Sequence, residues 1–402
     1  MPLVRQAVIA GAGIAGLSAA VSLARTGIRA SVYDANPKSA LEGSGLGLSA
    51  VGMRALHDLG LAEEVLGRGA GMWETIIADA SGRELDRIVL RGLVEGAIPP
   101  MVGLKRVAFH DLLMEAAERS GVEIHLGRGV VDLEQSGDAV EVRLADAQRV
   151  EAQLLVGADG LHSRVRELAL PGAPMPFHTG QRVWRVMIER NPEFKDRDRG
   201  MWYGPVAKAG TMLLSETEAY VFLVENSGDP HRPPKEEWPR LVKEQLRGFS
   251  DVIGWVRDTQ VGDPDLIDCR PLFAVLVPPP WHRGRVVLIG DAVHATTPHL
   301  ASGAAMAIED AVVLGDVLAG ESDLETALRR FAELRWERCR TVNQNSLQLG
   351  EWEKRPGDPG EAPRLTRETQ ALLAQHYRPA KSRGTRAAAL APSARERAAG
   401  GR

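Results

Sequence analysis

The segment Val4 to Asn36, VRQAVIAGAGIAGLSAAVSLARTGIRASVYDAN, limits the fold of this chain more than any other. A β-branched apolar run up to Ala10 reads as a buried strand and GAGIAG, Gly11 to Gly16, as a tight turn. A helix is predicted over Ile14–Arg25 with Gly27 as its stop, then a strand over Ala30–Tyr33 that ends at Asp34. This is a βαβ unit, the start of an α/β fold that binds a nucleotide. The glycines have separate work: Gly11 permits the turn, Gly13 lets the backbone approach a pyrophosphate, and Gly16 lets helix and strand pack closely. Asp34 follows Gly16 by 18 residues, at a strand end where a carboxylate can accept both hydroxyl hydrogens of an adenosine ribose. Gly11, Gly13, Ile14, Ala15, Gly16 and Asp34 are therefore candidate dinucleotide contacts. A plain tight turn would leave the position of the acid unexplained.

The same segment could pass for a membrane span, because Ala7 to Ala24 carries no charge and follows Arg5. The three glycines and the charged RTGIRASVYD that follows fit strand, turn, helix and strand instead, and no transmembrane segment or internal repeat is expected. With 402 residues, 44% hydrophobic and 25% charged, the chain suffices for two domains or one with an insertion. A net charge of -4 supplies no basic field for nucleic acid or anionic membrane, so small molecules are the expected partners. Cys269 and Cys339 fit no metal-ligand or redox spacing, which predicts no metal and two free thiols in a cytoplasmic protein.

Downstream, GSGLGLSAVGMRALHDLGL reads as a glycine-rich crossover and a helix near Val51–Leu59. GLKRVAFHDLLMEAAERSG reads as an amphipathic helix with Phe109, Leu112, Leu113 and Ala116 on one face. Val122 to Gly160 alternates like two or three antiparallel strands before an apolar strand into GADG. Between about Gly172 and Asp268, TGQRVWRVMIER, MWYGP and GTMLLSETEAYVFLVEN read as an antiparallel sheet, a natural substrate platform. GRVVLIGD then resumes a buried strand. The helix in SGAAMAIEDAVVLGDVLAG carries a small apolar stripe, Ala304, Ile308, Ala311 and Gly315, for packing on the sheet, with Glu309 and Asp316 on the other face. Leu324 to Leu349 continues helical. The expected division is 1–70, 102–171 and 269–320 for the cofactor, 71–101 and 172–268 for the substrate, and 321–377 as a helical region. A basic, disordered tail over 378–402 has seven cations against Glu396.

Three motifs in this order, GAGIAG, LVGADGLHSRVR and GDAVHATTPHLASGAAMAIEDA, resemble the fingerprints of the single-component FAD-dependent aromatic hydroxylases, the group A flavoprotein monooxygenases, over about residues 4–350. The likeness is to salicylate, hydroxybenzoate and hydroxynicotinate hydroxylases. It implies a Rossmann-like α/β FAD-binding domain, a discontinuous antiparallel-sheet (α+β) substrate domain and C-terminal helices. It implies FAD as cofactor, with NADH or NADPH as a transient reductant. Asp159 in GADG is assigned near the flavin pyrophosphate, with Arg164 and Arg166 as further candidates, while the residues alone also allow these charges to cap the helix SRVRELAL. Gly290 and Asp291 match positions where a carboxylate meets the ribityl hydroxyls, and Pro298 matches the proline beside the isoalloxazine. Ser302, Gly303 and Ala304 then open a helix whose free N–H groups face the flavin pyrimidine and stabilise negative charge on the reduced ring. Arg106 resembles the family arginine that approaches FAD, and Gly47 and Val131 complete the expected cofactor set. Asp34 stands where many members have glutamate, Ala35 replaces a frequent arginine, and Ala301 to Gly303 replaces glycine-x-glycine.

The resemblance further implies that oxygen adds to the reduced flavin and that the terminal oxygen of a flavin hydroperoxide reaches an electron-rich aromatic or N-heteroaromatic small molecule. On the substrate side, Arg185 is the candidate to pair a carboxylate or phenolate, facing away from Arg182 and Trp184 on its strand. Tyr203 and Tyr220 are candidate hydrogen-bond donors. His299, next to Pro298, is the candidate substrate contact or base, with His178 behind it, and His294 reads as structural. The alternatives are an epoxidase or other flavin oxidoreductase and a flavin-binding protein without turnover; the WxWxIP motif of flavin halogenases is absent. No nucleic-acid partner is expected, and a homodimer stays open.

Overall fold

The βαβ unit is present as β1 (Gln6–Ala10), α1 (Ile14–Arg25) and β2 (Arg29–Asp34) in the computed structural model, which describes residues 3–37, 44–204, 207–355, 358 and 360–378. β1 and β2 pair in parallel with Ala10 beside Tyr33. On the other side of β1 runs the strand Leu154–Gly157, with Gly157 beside Ala10, and beyond it Val286–Leu288, with Leu288 beside Gly157. Three strands that lie far apart in sequence are thus neighbours and end level, so the motifs that follow each of them leave the sheet at one edge. Glu123–Leu126 closes the sheet beside β2, and the short His282–Arg283 pairs antiparallel at the opposite edge. Val8, Ile9, Leu154, Leu155 and Val287 are fully buried, the continuous apolar runs that a parallel sheet covered on both faces demands.

Two sequence expectations need correction here. Glu123–Leu126 does not open the antiparallel set: it runs parallel to β2, because the helix Arg106–Arg119 before it supplies the crossover that parallel pairing needs. Only Val130–Ser136, Ala139–Leu144 and Arg149–Ala152 form the antiparallel meander. The stripe on the helix Gly303–Gly320 packs against α1 rather than the sheet, and a Cβ on Gly315 would stand 2.3 Å from Ser22 Oγ. Nor is Glu309 on a solvated face. Glu309 and Asp310 are fully buried beneath the helix Leu324–Lys354, where Arg335 reaches Glu309 and Asp310 at 2.7 Å each and Arg338 adds a second cation to Glu309 at 2.8 Å.

The second large sheet has seven strands, in the order Ile267–Ala274, Phe177–Glu189, Glu218–Asn226, Lys208–Leu213, Gly200–Tyr203, Glu74–Asp79 and Glu84–Val89. It is antiparallel except where Gly200–Tyr203 runs parallel to Glu74–Asp79. The strand through Cys269 continues in this sheet to Ala274. One face is dry: Trp184, Trp202, Val221 and Leu223 are buried with Trp238, Val242 and Ile253 of two covering helices. The other face looks toward the strand Gly45–Ser49 of the cofactor side, since a Cβ on Gly45 would meet the Tyr220 ring at 2.2 Å and one on Gly47 would meet Met212 Cε at 2.6 Å. Its Arg185, Met187, Phe222, Val224, Asp268 and Arg270 are only half-buried. Large side chains left partly open on an inward face are the wall of a cleft.

No helix among the described residues is long and apolar enough to cross a membrane. The tail expected over 378–402 lies outside the described residues except for Arg378, which pairs with Asp316 at 2.6 Å. The buried ion cluster gives a test of what holds the motif helix. Arg335→Leu should destabilise the protein by about 3–5 kcal/mol at pH 7 in urea unfolding, because it takes a fully buried cation from each of two buried carboxylates. Burial pushes the Asp310 carboxyl up, but the charges of His294 and Arg335 outweigh that and hold it below its ordinary value. Its contribution is therefore present above the ordinary carboxylate range and lost as the pH falls, so the difference between wild type and variant should shrink below about pH 4.

Candidate active site

The level strand ends bring the three motifs into contact. Gly11 has φ +105°, and a Cβ there would lie 2.4 Å from Ala158 O, so the first turn touches the second motif. Gly290 has φ +61°, and its Cβ would lie 2.8 Å from Ala15 Cβ, so the third motif touches the first. Both positions need glycine for backbone angle and for space. Gly16 has the close-packing role expected of it, its Cβ falling 1.9 Å from Gly11 O. Two buried charges fasten the junction. Arg166 donates to Ala292 O at 2.8 Å and Leu161 O at 3.0 Å, tying the second motif to the third. Asp310 accepts from Gly290 N–H at 2.9 Å and holds the His294 ring at 2.6 Å, which gives His294 the structural place its sequence context suggests.

Asp159 is engaged locally. It accepts from the Ser163 hydroxyl at 2.5 Å and the Val165 N–H at 3.0 Å, at the start of the helix Arg164–Ala169, and burial pushes its carboxyl up. Arg164 is exposed and donates to Val131 O at 3.2 Å, which places Val131 beside the second motif. Asp34, expected to accept ribose hydroxyls, accepts here from Ala12 N–H and from Asn36 N–H, each at 2.7 Å, and so lies against the glycine turn.

The groove between these motifs has the chemistry of an extended, anionic, hydroxyl-bearing ligand. α1 starts at Gly13 and the Gly303 helix starts at Ser302, and neither has a side-chain cap or an acid in its first turn. The Ser302 hydroxyl donates instead to Leu300 O at 2.7 Å, leaving the N–H groups of Gly303 and Ala304 without a side-chain cap. Two positive helix ends are thus open to an anion. Asp291 is exposed at its surface yet so deeply set that burial pushes its carboxyl up, a combination that the floor of a deep cleft produces. Among the described residues, Thr296 Oγ1, Ser44 Oγ, Ser49 Oγ and Arg106 Nε are buried with no hydrogen-bond partner, and Arg106 lies close enough to Asp291 to feel its charge. FAD fits this set: its pyrophosphate suits the helix ends, its hydroxyls the carboxylates and the orphaned donors.

Facing the groove, the substrate sheet presents a cationic cluster. Arg185 and Arg270 share one carboxylate, Asp268, at 3.4 Å and 2.9 Å. Burial, with the charges of Arg270 and Arg185 close by, pushes the Arg106 guanidinium down to about 10 against the opposing pull of Asp268 and Asp291. Burial pushes the Tyr220 hydroxyl up, against the same two neighbouring cations, Arg185 and Arg106. Of the sequence candidates, Arg185 therefore stands in the cleft wall with Tyr220 beside it. Tyr203 is 52% exposed on the outlying strand Gly200–Tyr203. Pro298 is half-buried at the start of a short turn. The His299 side chain is 1% exposed and turned away, held between Thr297 Oγ1 at 2.9 Å and Glu353 at 3.1 Å. His178 lies against Phe273 and near Gln181 O. Sequence reasoning missed Arg270 and Asp268, although their spacing of two puts them on one strand face, and that face is the one Arg185 shares.

The FAD binding domain family matches residues 5–327 of this chain. The 3-hydroxybenzoate 6-hydroxylase 1 of Aquipseudomonas alcaligenes is 32% identical over 356 residues, covering 84% of this chain and 86% of its own. The 6-hydroxynicotinate 3-monooxygenase of Bordetella bronchiseptica is 30% identical over 348 residues, covering 84% and 89%. Among solved structures, a variant of Klebsiella pneumoniae HpxO complexed with FAD is similar at a TM-score of 0.78 and 25% identity, covering 92% of this chain and 94% of that one.

Two glycines separate the demands of the fold from those of the ligand. Gly11→Ala is blocked by Ala158 and by its backbone angle, so it should lower both stability and FAD binding. A Cβ on Gly13 meets no protein atom within 4 Å. Gly13→Ala should leave unfolding within about 0.5 kcal/mol of wild type, while FAD affinity, read by flavin fluorescence quenching, falls about tenfold or more because the added methyl occupies the path of the pyrophosphate. Unchanged affinity in Gly13→Ala would remove the pyrophosphate from this turn.

Proposed function

We propose that this chain, which belongs to the FAD binding domain family and is an FAD-dependent monooxygenase, uses NADH or NADPH and O2 to hydroxylate a small aromatic or N-heteroaromatic ring that carries an acidic group. The observation that carries the substrate class is the under-neutralised cluster of Arg185, Arg270 and Arg106, three cations with Asp268 between the first two and Asp291 the other acid near Arg106. The relatives named for 3-hydroxybenzoate and 6-hydroxynicotinate support an acidic ring. FAD, when bound, supplies the hydride acceptor and the activation of oxygen.

The residues of the chain divide the remaining work. The glycine turn, Asp34, Asp291 and the two helix ends would hold the cofactor. Arg185 and Arg270 would take a carboxylate or phenolate oxygen, a charge-assisted contact that Asp268 orients without cancelling. Tyr220, packed over Gly45 and with its proton held more tightly than usual, donates a hydrogen bond at neutral pH. Met187, Met212 and Phe222 line the wall between these polar groups and exclude water from the ring. Both cysteines are free and buried, which supports the reducing, cytoplasmic setting.

The test is NADH and NADPH oxidation by the FAD-loaded protein across phenols, hydroxybenzoates and hydroxypyridines, with hydrogen peroxide counted alongside. Ring acids should accelerate oxidation with little peroxide, and their methyl esters should not. Arg185→Met and Arg270→Met should each raise KM for the acid about 10–100-fold, the worth of one charged hydrogen bond, with FAD content unchanged. Equal stimulation by acid and ester would overturn the acidic-ring reading, and peroxide alone from every compound would overturn hydroxylation.

A further inference from the structure

One face of the helix Leu324–Lys354 stitches the two halves of the cleft together. Asn343 donates to Ala295 O at 2.7 Å and to Val275 O at 3.1 Å, joining the third motif to the exit of the substrate sheet. Two turns further on, Gly350 brings the helix backbone close to both sides, since a Cβ there would stand 2.7 Å from Gln181 Oε1 and 3.1 Å from His299 Cε1. Glu353 and Lys354 finish the row. Lys354 donates to Thr179 O at 2.8 Å and pairs with Glu351. Glu353 binds the His299 ring with one oxygen and pairs with Lys208 of the substrate sheet through the other.

From this convergence we infer that Glu353 is a positioning residue: its carboxylate, carried on the C-terminal helix, sets the cofactor-side loop Thr297–Ala301 in register with the substrate sheet. The inference rests on the monooxygenase reading above. The loop has little hold of its own. It is a single 3-10 turn, Pro298–Leu300, ending at Ala301 in the left-handed region with φ +48°, a conformation an alanine adopts only when its surroundings impose it. The surroundings that impose it lie behind the loop. The His299 ring is the loop's anchor, sealed from solvent, with Nδ1 facing the Thr297 hydroxyl and Nε2 facing Glu353. A carboxylate only accepts, so Nε2 of His299 donates to Glu353 and the contact sets the orientation of the ring. Burial pushes the Glu353 carboxyl up, but the His299 hydrogen bond and the Lys208 charge outweigh it and hold it below its ordinary value, so the latch stays charged at neutral pH. The charged groups around His299 are Glu353 and, one step away, Lys208, Lys354 and Glu351.

Oxygen transfer needs ring and cofactor in one geometry, and displacement by about 1 Å costs about 100-fold in rate. A latch that fixes the loop against the sheet therefore acts on kcat and on the share of reducing equivalents lost as peroxide, with substrate affinity left to the arginines. The variants are Glu353→Leu, which cuts both legs, Glu353→Gln, which keeps an acceptor for His299 without the charge, and Lys208→Met and His299→Asn, which cut one leg each. FAD-loaded proteins are compared by visible circular dichroism of the flavin band, which needs no turnover, and by kcat, KM and peroxide yield. Glu353→Leu should alter the flavin band, lower kcat about tenfold and raise peroxide, with KM within about twofold of wild type. Glu353→Gln should fall between it and wild type. A flavin band and coupling identical to wild type in Glu353→Leu would overturn the inference. If that variant does not fold, Lys208→Met and His299→Asn decide in the same way. If wild type turns over no compound, the monooxygenase reading fails, and the flavin band alone still judges the latch.

Discussion

The site depends on one buried carboxylate. Asp310 has no exposure, and its partners come from two separate places in the chain: the Gly290 N–H and the His294 ring from one turn, and the Arg335 guanidinium from the helix Leu324–Lys354. A glycine at φ +61° has no side chain to hold it, so the turn at Gly290 owes its shape to that hydrogen bond and to Ala15 behind it. The cost of burying Asp310 is offset only when all partners are present, which makes the turn, the helix Gly303–Gly320 and the helix Leu324–Lys354 fold as one unit. Asp291, one residue after the turn, is thereby aimed into the groove. The neighbouring Glu309 performs the same service with Arg54, Arg335 and Arg338, and ties the motif helix to the C-terminal segment.

From that unit the rest of the cofactor side follows by contact. Arg166 carries the constraint from Ala292 to the second motif, and Ala158 carries it to Gly11. The chain of contacts runs through small residues because space is short: Gly11 meets the Ala158 backbone and Gly16 the Gly11 backbone, while Gly290 faces the Ala15 methyl and Gly315 the Ser22 hydroxyl. Any larger side chain at these points would push apart the strand ends whose level alignment makes the groove. The substrate sheet obeys a different rule. Its outer face is dry and tryptophan-rich, and its inner face is left partly unpacked, which stabilises the sheet on one side and reserves space on the other.

The cofactor half was legible in the sequence because its signals are local. A β-branched run, glycines at fixed spacing and an acid at a strand end each constrain a few consecutive residues, and β1, α1 and β2 fall within a residue of their predicted bounds. The roles of Asp159, Asp310 and Arg166 were less legible. The sequence does not show which neighbours an acid will find, and in the structure Asp159 bonds to Ser163 and to Val165 N–H at the start of its own helix. Glu309 was placed only on the face opposite the apolar stripe, because helical periodicity shows which residues share a face but not what covers that face. Cover comes from Arg335 and Arg338, in a different helix. The same limit applies to His299: its position beside Pro298 was read correctly, while the direction of its ring was fixed by Glu353, 54 residues later.

The substrate half shows why pocket chemistry is a tertiary property. Arg185, Asp268 and Arg270 come together only through strand pairing, with Arg185 opposite Asp268 and Val183 opposite Arg270, and Arg106 arrives from the cofactor side. Three guanidiniums against two acids, Asp268 and Asp291, is an unfavourable arrangement for a protein without ligand, and the downward push on Arg106 comes from burial first and then from Arg270 and Arg185. A fold under selection for stability alone would add a further acid or remove a cation, either of which is a single substitution. Retaining the excess charge in a cleft that a ligand can enter makes sense when the ligand brings the missing negative charge. The bound ring is then held by an interaction the protein cannot satisfy by itself, and the same charge that destabilises the empty cleft becomes the source of specificity when it is filled.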